Sequence, residues 1–290
     1  MRIGIIGGSG LGQTLGKQVQ GNAQRVETPF GWPSAPILTG EWHQAPIAFL
    51  PRHGNGHIFS PSAVPYRANI YALKQLGCTH IIASGAVGSL RDEIAPKQLV
   101  VIDQVIDKTH KRPNTFFDEY LAAHAEFADP FCPNLRRHII EVAKTLDCEV
   151  HGKGTYVCME GPQFSTRAES LMHRQWGGDV IGMTIMPEAK LAREAEMCYA
   201  VVALSTDYDC WRPHQAGDRL QLLQEIISNM NTASESATQL IAQTVAAMAQ
   251  ESPTECECHR AMELAIWSDK SKIDPAARAK YGILVKKHLS

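Results

Sequence analysis

The sequence begins with a short apolar run that ends in small residues, Gly-Gly-Ser-Gly at positions 7–10. Such a turn after a strand leaves backbone N–H groups free to bind an anion, and the Ser9 hydroxyl adds a donor. A dinucleotide-binding turn needs glycines spaced G-x-G-x-x-G, but Gln13 or Thr14 occupies the last position in either register. The pattern favours a phosphate-sized anion, with a tight turn that binds no ligand as the alternative.

Arg52 and His53 directly follow a second apolar run at residues 47–50. An arginine presents a planar fork of donors that matches phosphate oxygens, and a histidine offers a further donor. A solvated loop is the alternative. His57 lies four residues after His53, but no third ligand follows at metal-site spacing, so we expect no metal there.

Three more predicted strands end in residues that could bind a ligand. Residues 84–89, Ser-Gly-Ala-Val-Gly-Ser, predict a second turn of exposed backbone donors, and Met183 and Thr184 follow the strand at 180–182. Asp207 and Asp209 follow the strand at 199–205, where paired carboxyl groups act as acceptors or as a tuned acid, or form an ordinary turn. Since strand ends meet at one edge of an open sheet, we expect an anion site beside a site for a flat heterocycle.

The overall composition excludes several classes of protein. The 28 Lys and Arg nearly balance the 30 Asp and Glu, so the chain lacks the positive field that nucleic acid or an anionic membrane would attract. No apolar run approaches the roughly 20 residues that span a bilayer, and the N-terminus does not resemble a signal peptide. Eight cysteines scattered through apolar segments suit buried thiols in a reducing cytoplasm better than a disulfide scaffold.

Apolar runs and amphipathic stretches alternate along the chain, which predicts an α/β sheet that is largely parallel at its centre. We interpret residues 1–250 as one domain and 251–290 as a helical C-terminal appendage. The predicted strands are 3–6, 47–50, 80–83, 99–105, 155–159, 180–182 and 199–205, and the predicted helices are 64–76, 134–146, 165–176, 187–196 and 218–250, with tail helices near 260–267 and 275–288.

The order of these motifs resembles that of the S-methyl-5′-thioadenosine phosphorylases, within the trimeric purine nucleoside phosphorylases. The resemblance covers residues 3–250 and includes Thr-Pro-Phe-Gly at 28–31, Pro-Tyr-Arg-Ala-Asn-Ile at 65–70, Asp-Pro-Phe-Cys at 129–132 and Glu-Gly-Pro-Gln-Phe-Ser at 160–165. It implies a single-domain nucleoside phosphorylase fold, with a central mixed sheet flanked by helices. It also implies a homotrimer, or a hexamer made of two trimers.

The resemblance also implies a role for each matching position. Gly85 stands where close relatives have threonine, so backbone donors must replace that side chain. The implied phosphate site is Ser9, Arg52, His53, Gly85, Ala86 and Thr184. The implied nucleoside contacts are Met183 at the sugar, Phe164 beside the purine, and Asp207, Tyr208 and Asp209 at the base, with Ser165 and Leu220 tied to substrate preference. The implied 5′ pocket contains Leu220, Leu223 and a His124 supplied by a neighbouring subunit.

Phosphorolysis of an N-glycoside needs a phosphate oxygen held beneath C1′, stabilisation of the positive sugar, and a proton for the departing purine. We assign the proton to Asp207, with a pKa raised by burial, and a supporting role to Asp209. An acid that donates to N7 and accepts from N6 fits adenine, whereas related enzymes for 6-oxopurines have asparagine there. The chemistry needs inorganic phosphate as co-substrate and no cofactor.

Several alternatives stay open at this point. A 6-oxopurine or methylthioinosine phosphorylase keeps the fold and changes the base, while a dehydrogenase or a nucleoside-binding sensor would change the activity. Leu220 and Leu223 could be ordinary core residues rather than an apolar 5′ pocket. Cys256 and Cys258 stand next to His259, but a single C-x-C falls short of four metal ligands, so we expect reduced, non-catalytic thiols.

Overall fold

The computed structural model describes residues 1–8, 11, 18–212, 219–251 and 255–289. The strands are β1 Arg2–Gly7, β2 Gln20–Gln24, β3 Ile37–Trp42, β4 Ala45–Pro51, β5 Cys78–Ser89, β6 Leu99–Val101, β7 Gln104–Asp107, β8 Val150–His151, β9 Thr155–Cys158, β10 Val180–Gly182 and β11 Cys198–Asp207. The helices are α1 Tyr66–Gln75, α2 Pro133–Ala143, α3 Arg167–Gln175, α4 Glu188–Glu194, α5 Arg219–Ala249 and α6 Pro275–Tyr281. No described helix is both long and apolar enough to cross a membrane.

The strands form one mixed sheet, which confirms the predicted fold class, and β5 lies at its centre. The order is β2-β3-β4-β1-β5-β10-β9-β7, and β11 pairs with β5 and β6. β5 runs parallel to β1 and β11 and antiparallel to β10, so the middle of the sheet is parallel while its margins are mixed. The sequence did not indicate β2, β3 or β8, and the run predicted as one strand at 99–105 is divided between β6 and β7.

β5 is longer than its apolar run predicted. Residues 84–89 are not a turn, because the strand continues to Ser89 and pairs with β11 as far as Gly88. On the opposite edge, β1 pairs with β5 up to Ala83, and β10 takes over at Gly88. Between these two partners, residues 84–87 of β5 have no paired strand on this edge within the described residues, which leaves a gap in the sheet. A point where strand neighbours change is where open α/β sheets bind ligands.

Two apolar clusters cover the two faces of the sheet. The first includes Ile70 of α1 and Leu191 of α4, and the second includes Ile139 of α2 and Leu240 of α5. The tail contributes to both, with Cys256 and Cys258 in the second cluster and residues from Met262 onward in the first.

The tail segment around 260–267 was predicted to be helical, and that prediction is wrong. A 3-10 turn occupies Glu257–Arg260, and further turns follow it. Its backbone forms only short-range turn hydrogen bonds within the segment and also bonds to residues 122–124, since His124 N–H donates to the Ala265 carbonyl at 2.8 Å. The second tail helix was also expected to be longer than α6, which ends at Tyr281.

Candidate active site

The groups that sequence reasoning selected for anion binding meet at the gap beside β5. A Cβ atom placed on Gly85 would lie 3.5 Å from Thr184 Oγ1 and 3.9 Å from Arg52 Nη1. A Cβ on Gly8 would lie 2.9 Å from the same Nη1 and 2.6 Å from the Ser84 carbonyl oxygen, which leaves no room for a side chain. β1, β4, β5 and the loop after β10 therefore bring donors to one place. Ser9 lies outside the described residues.

Arg52 is fully buried, and most of its donors are already engaged. Its Nε and Nη2 each donate to Glu188 at 2.8 Å, and Nη1 donates to the Ser84 carbonyl at 2.7 Å. Although burial opposes the charge, the Glu188 carboxylate raises the pKa of Arg52 further above its ordinary value. Since Nη1 carries two hydrogens, one N–H remains for a ligand on the side of Gly8 and Gly85.

Glu188 was not among the predicted site residues. It is fully buried and accepts a third hydrogen bond, 2.7 Å long, from the Tyr199 hydroxyl. Glu188 and Arg52 are 136 residues apart, so no sequence pattern indicates the pair. The carboxylate fixes the plane and direction of the guanidinium, which is what an anion site needs before the anion arrives.

His53 is buried and is held as a neutral ring. Burial, and then the charge of Arg52, lowers its pKa to about 4. Its Nδ1 lies 2.8 Å from the Phe59 carbonyl oxygen, so Nδ1 carries the hydrogen and Nε2 is an acceptor. The His57 ring stacks on it at 4.2 Å. The side chain becomes a second donor only when a bound anion raises the pKa again.

Arg112 organises the loops that carry Met183 and Glu160, and sequence reasoning missed it. This buried side chain donates from Nη1 to the Met183 and Met186 carbonyls, both at 2.6 Å, and from Nη2 to the Glu160 carbonyl at 2.6 Å. Partial burial opposes ionisation of Glu160, but hydrogen bonds from Ser62 and two backbone N–H groups lower its pKa to about 2. Arg112 thereby fixes the backbone just before Thr184.

A bulge at the end of β11 sets the direction of the carboxyl pair. The register with β5 shifts between Ser205 and Asp207, and Asp207 lies opposite Gly88. Asp207 accepts from the Thr206 hydroxyl at 2.6 Å and from the Asp209 N–H at 2.9 Å. A Cβ on Gly88 would lie 3.1 Å from the Asp209 Cβ, so a glycine there permits the turn to approach β5 closely.

The pKa of the Asp209 carboxyl group is raised above its ordinary value. Burial is the main cause, and the charge of Asp207 adds to it, while a hydrogen bond with Ser170 acts in the opposite direction. Asp209 has a φ of +46°, a conformation that aspartate tolerates better than most residues. The assignment of the proton donor to Asp207 stays a prediction, and Asp209 is a second candidate for that role.

The remaining base-side residues surround this turn. Tyr208 donates from its hydroxyl to the Asp92 carbonyl at 3.4 Å, and Ser165 Oγ lies 3.6 Å from Met159 Sδ. Phe164 is 84% exposed, so a large apolar ring is available to a ligand or to another chain. Ala86 lies on β5 between the anion side and the base side and pairs with Leu204.

The two leucines assigned to the 5′ pocket are on the first turns of α5. Leu220 is 58% exposed and Leu223 is 53% exposed, and Ile227 extends the same apolar stripe. The alternative that they are core residues is therefore wrong for the single chain.

His124 lies in a separate open cavity of about 440 Å³. Its ring packs edge-on against Trp267 at 4.9 Å, and Lys190 and Glu194 also line the cavity. Burial raises the pKa of Glu194 to about 7. The lining shares no described residue with the strand-end site, so one chain does not place His124 beside the nucleoside residues.

Within the described residues, the side chains best placed to hold a metal lie away from His53 and His57. They cluster around Cys198, at the opposite end of β11 from Asp207.

Comparison with known proteins identifies the family. The family model described as the phosphorylase superfamily matches residues 2–246. The S-methyl-5′-thioadenosine phosphorylase of Cereibacter sphaeroides is 48% identical over 280 residues, which covers 96% of this chain and 95% of that protein. The enzyme of the same name from Pyrococcus furiosus is 53% identical over 226 residues, covering 77% of this chain and 86% of that protein.

Solved structures give the same result. A methylthioadenosine phosphorylase from an Antarctic soil metagenomic library superposes with a TM-score of 0.87 at 44% identity and covers 97% of this chain and 98% of its own. The Schistosoma mansoni methylthioadenosine phosphorylase in complex with adenine gives 0.81 at 35% identity, with 87% and 93% covered. The chain thus belongs to the phosphorylase superfamily and, within it, to the S-methyl-5′-thioadenosine phosphorylases.

Proposed function

We propose that the protein catalyses the phosphorolysis of S-methyl-5′-thioadenosine to adenine and 5-methylthioribose 1-phosphate, a pentosyl transfer that serves purine and methionine salvage. The observation that carries this proposal is the arrangement along β5. Gly85, beside Arg52 and Thr184, is three residues from Gly88, beside Asp207 and Asp209. At about 3.3 Å per residue this places an anion site roughly 10 Å from a carboxyl pair on one strand.

The anion side positions the nucleophile. The free N–H of Arg52, the Thr184 hydroxyl and the backbone at Gly8 and Gly85 hold phosphate beneath C1′. A phosphate oxygen forms the new bond to C1′ as the bond to the purine nitrogen breaks, and the dianion stabilises the positive charge on the sugar. His53 is neutral before phosphate binds, and its Nε2 then accepts a hydrogen bond from a phosphate O–H. If the bound anion raises the pKa enough for that proton to move to Nε2, the ring becomes the donor.

The base side supplies the proton. The electrons of the broken bond enter the purine, which takes a proton at N7 and leaves as neutral adenine. We propose that Asp207 and Asp209 share that proton as a pair: one delivers it to N7 while the other accepts from the amino group at N6. The raised pKa of Asp209 supports this assignment. An oxygen at C6 would meet an acceptor, so a 6-oxopurine fits worse.

Specificity at the 5′ side comes from the start of α5. A methylthio group gains apolar contact with Leu220 and Leu223, whereas a 5′-hydroxyl loses water without gaining a partner. Phe164 packs beside the purine, Met183 lies against the ribose, and Ser165 adjoins the base.

We further propose that the active form is a homotrimer, or a hexamer of two trimers, in the cytoplasm. A neighbouring subunit would then bring His124 to the 5′ pocket. The exposed rings of Phe164 and Trp267 support association, and eight unpaired cysteines support a reducing compartment. The reaction itself requires phosphate and no cofactor or catalytic metal.

The decisive experiment incubates the protein with methylthioadenosine, with and without phosphate, and measures free adenine. We expect adenine only when phosphate is present, together with an equal amount of sugar phosphate. Methylthioinosine serves as the matched substrate that differs only at the base, and inosine differs at both the base and the 5′ substituent. Binding without adenine release would indicate a nucleoside sensor, and faster turnover of the 6-oxopurines would indicate the other base specificity.

A further inference from the structure

Four buried cysteines from distant parts of the chain meet at one point. The Sγ atoms of Cys132, Cys198, Cys256 and Cys258 all lie within 4.8 Å of one another. Cys132 precedes α2, Cys198 begins β11, and the other two belong to the tail. The local sequence motif contains only the C-x-C pair, because Cys132 is 124 residues from Cys256.

The spacing of the sulfur atoms argues against a disulfide between Cys132 and Cys256 and is compatible with a shared metal ion. Cys132 Sγ and Cys256 Sγ are 3.6 Å apart. A disulfide requires about 2.05 Å. Four thiolates at about 2.3 Å from a tetrahedral zinc ion lie about 3.8 Å from each other. The observed separation is therefore close to that of a metal site and far from that of a covalent bond.

The surroundings of the cluster supply donors to sulfur. The Leu135 N–H at the start of α2 donates to Cys132 Sγ at 3.4 Å, and Asn134 Nδ2 donates to Cys256 Sγ at 3.6 Å. His259 Nε2 lies 3.5 Å from Cys198 Sγ. Such outer donors offset the negative charge of metal-bound thiolates and orient them. A helix N-terminus adds a favourable dipole.

A second group of three, His80, Cys198 and His259, overlaps the first at Cys198. It provides only three ligands, whereas the four cysteines complete a tetrahedron. His259 also contacts the Thr79 carbonyl, at 3.4 Å, which leaves it as an outer partner of Cys198 rather than a ligand.

We propose that Cys132, Cys198, Cys256 and Cys258 form a structural zinc site that fastens the C-terminal tail to β11 and α2. Four thiols release four protons and form four Zn–S bonds, so the step needs no oxidant or reductant. Four soft sulfur ligands in a tetrahedron select zinc over calcium or magnesium. Because all four cysteines are buried, the site is closed to substrate and takes no part in phosphorolysis.

The test measures metal in the full-length chain, purified without a histidine tag and without chelator. Elemental analysis should find about one zinc per chain. Cys256→Ser and Cys258→Ser should each lower that content about tenfold or more. Cys148→Ser, which changes a cysteine outside the cluster, should leave it unchanged. Iron in place of zinc, or equal metal content in all four proteins, would overturn the assignment.

A second measurement remains decisive if the serine variants do not fold. Titration of the wild-type protein with a mercurial reagent should release zinc in step with four thiols. Added Co²⁺ should replace zinc and give the intense absorption of a tetrahedral thiolate complex. A metal-free protein whose intact mass is lower by two hydrogens per bond would instead contain disulfides, and a metal-free protein of full mass would contain plain thiols. Either result overturns the proposal, and neither affects the adenine-release assay.

Discussion

Replacing Glu188 by glutamine should test the anion site most directly. The change keeps the shape of the side chain but removes the carboxylate charge that Arg52 contacts at 2.8 Å in a fully buried position. In either orientation of the new amide, its NH₂ group faces a guanidinium N–H, because both carboxylate oxygens accept from Arg52. Breaking one side of a buried pair costs about 3–5 kcal/mol.

The assay is urea unfolding of Glu188→Gln beside the wild type. A total stability of about 5–15 kcal/mol makes such a loss easy to measure. Glu141→Gln is the matched control, since its 2.7 Å bridge to Lys144 is exposed and should contribute less than about 0.5 kcal/mol. Turnover should show a rise in KM for phosphate that exceeds the rise for the nucleoside. A stability loss no larger than that of Glu141→Gln would refute the reasoning.

Three further predictions concern the same site. Asp207→Asn and Asp209→Asn should each lower methylthioadenosine turnover and improve the ratio of methylthioinosine to methylthioadenosine turnover; an unchanged ratio in both would remove the pair from the base site. Gly85→Thr should fold normally, because its Cβ meets nothing closer than 3.5 Å, and should lower KM for phosphate about tenfold through one hydrogen bond to a charged group; an unchanged or higher KM would contradict the placement of phosphate. With its pKa at about 4, in the field of Arg52, His57 and Arg112, His53 binds a proton only in the unfolded chain between pH 6.5 and 4. His53 should therefore contribute about 1.4 kcal/mol per pH unit to the fall in the free energy of unfolding as the pH drops through that window, and the fall should be less steep in His53→Gln; equal slopes would exclude the effect.

The sequence was informative where a local pattern carried the structure. Apolar runs located β1, β4 and β11, and residues just after them belong to the candidate site. Residues 84–89 misled because glycine and serine usually mark turns. There β11 and β10 supply the pairing that keeps them extended, so tertiary context overrides local preference.

The sequence could not indicate which residues far apart in the chain contact each other. Glu188 and Arg112 are single charged residues in unremarkable surroundings, and only folding places them against Arg52 and the Met183 carbonyl. The cysteine cluster could not be predicted for the same reason, since no short motif joins Cys132 to the tail. Burial raises the pKa of Asp209, and the spacing of residues in the sequence carries no information about burial.

The single uninterrupted strand between Gly85 and Gly88 has a consequence for how this enzyme class can diversify. On the proposed function, the backbone of this strand keeps the anion side and the base side at a constant separation, whatever substituent the sugar carries. New tolerance for that substituent would then come from the proposed 5′ pocket, which is formed by the exposed face of α5 and by His124 of a neighbouring subunit. Mutations at Leu220 or Leu223 would exchange one nucleoside for another while the proposed centre of bond cleavage stays unaltered.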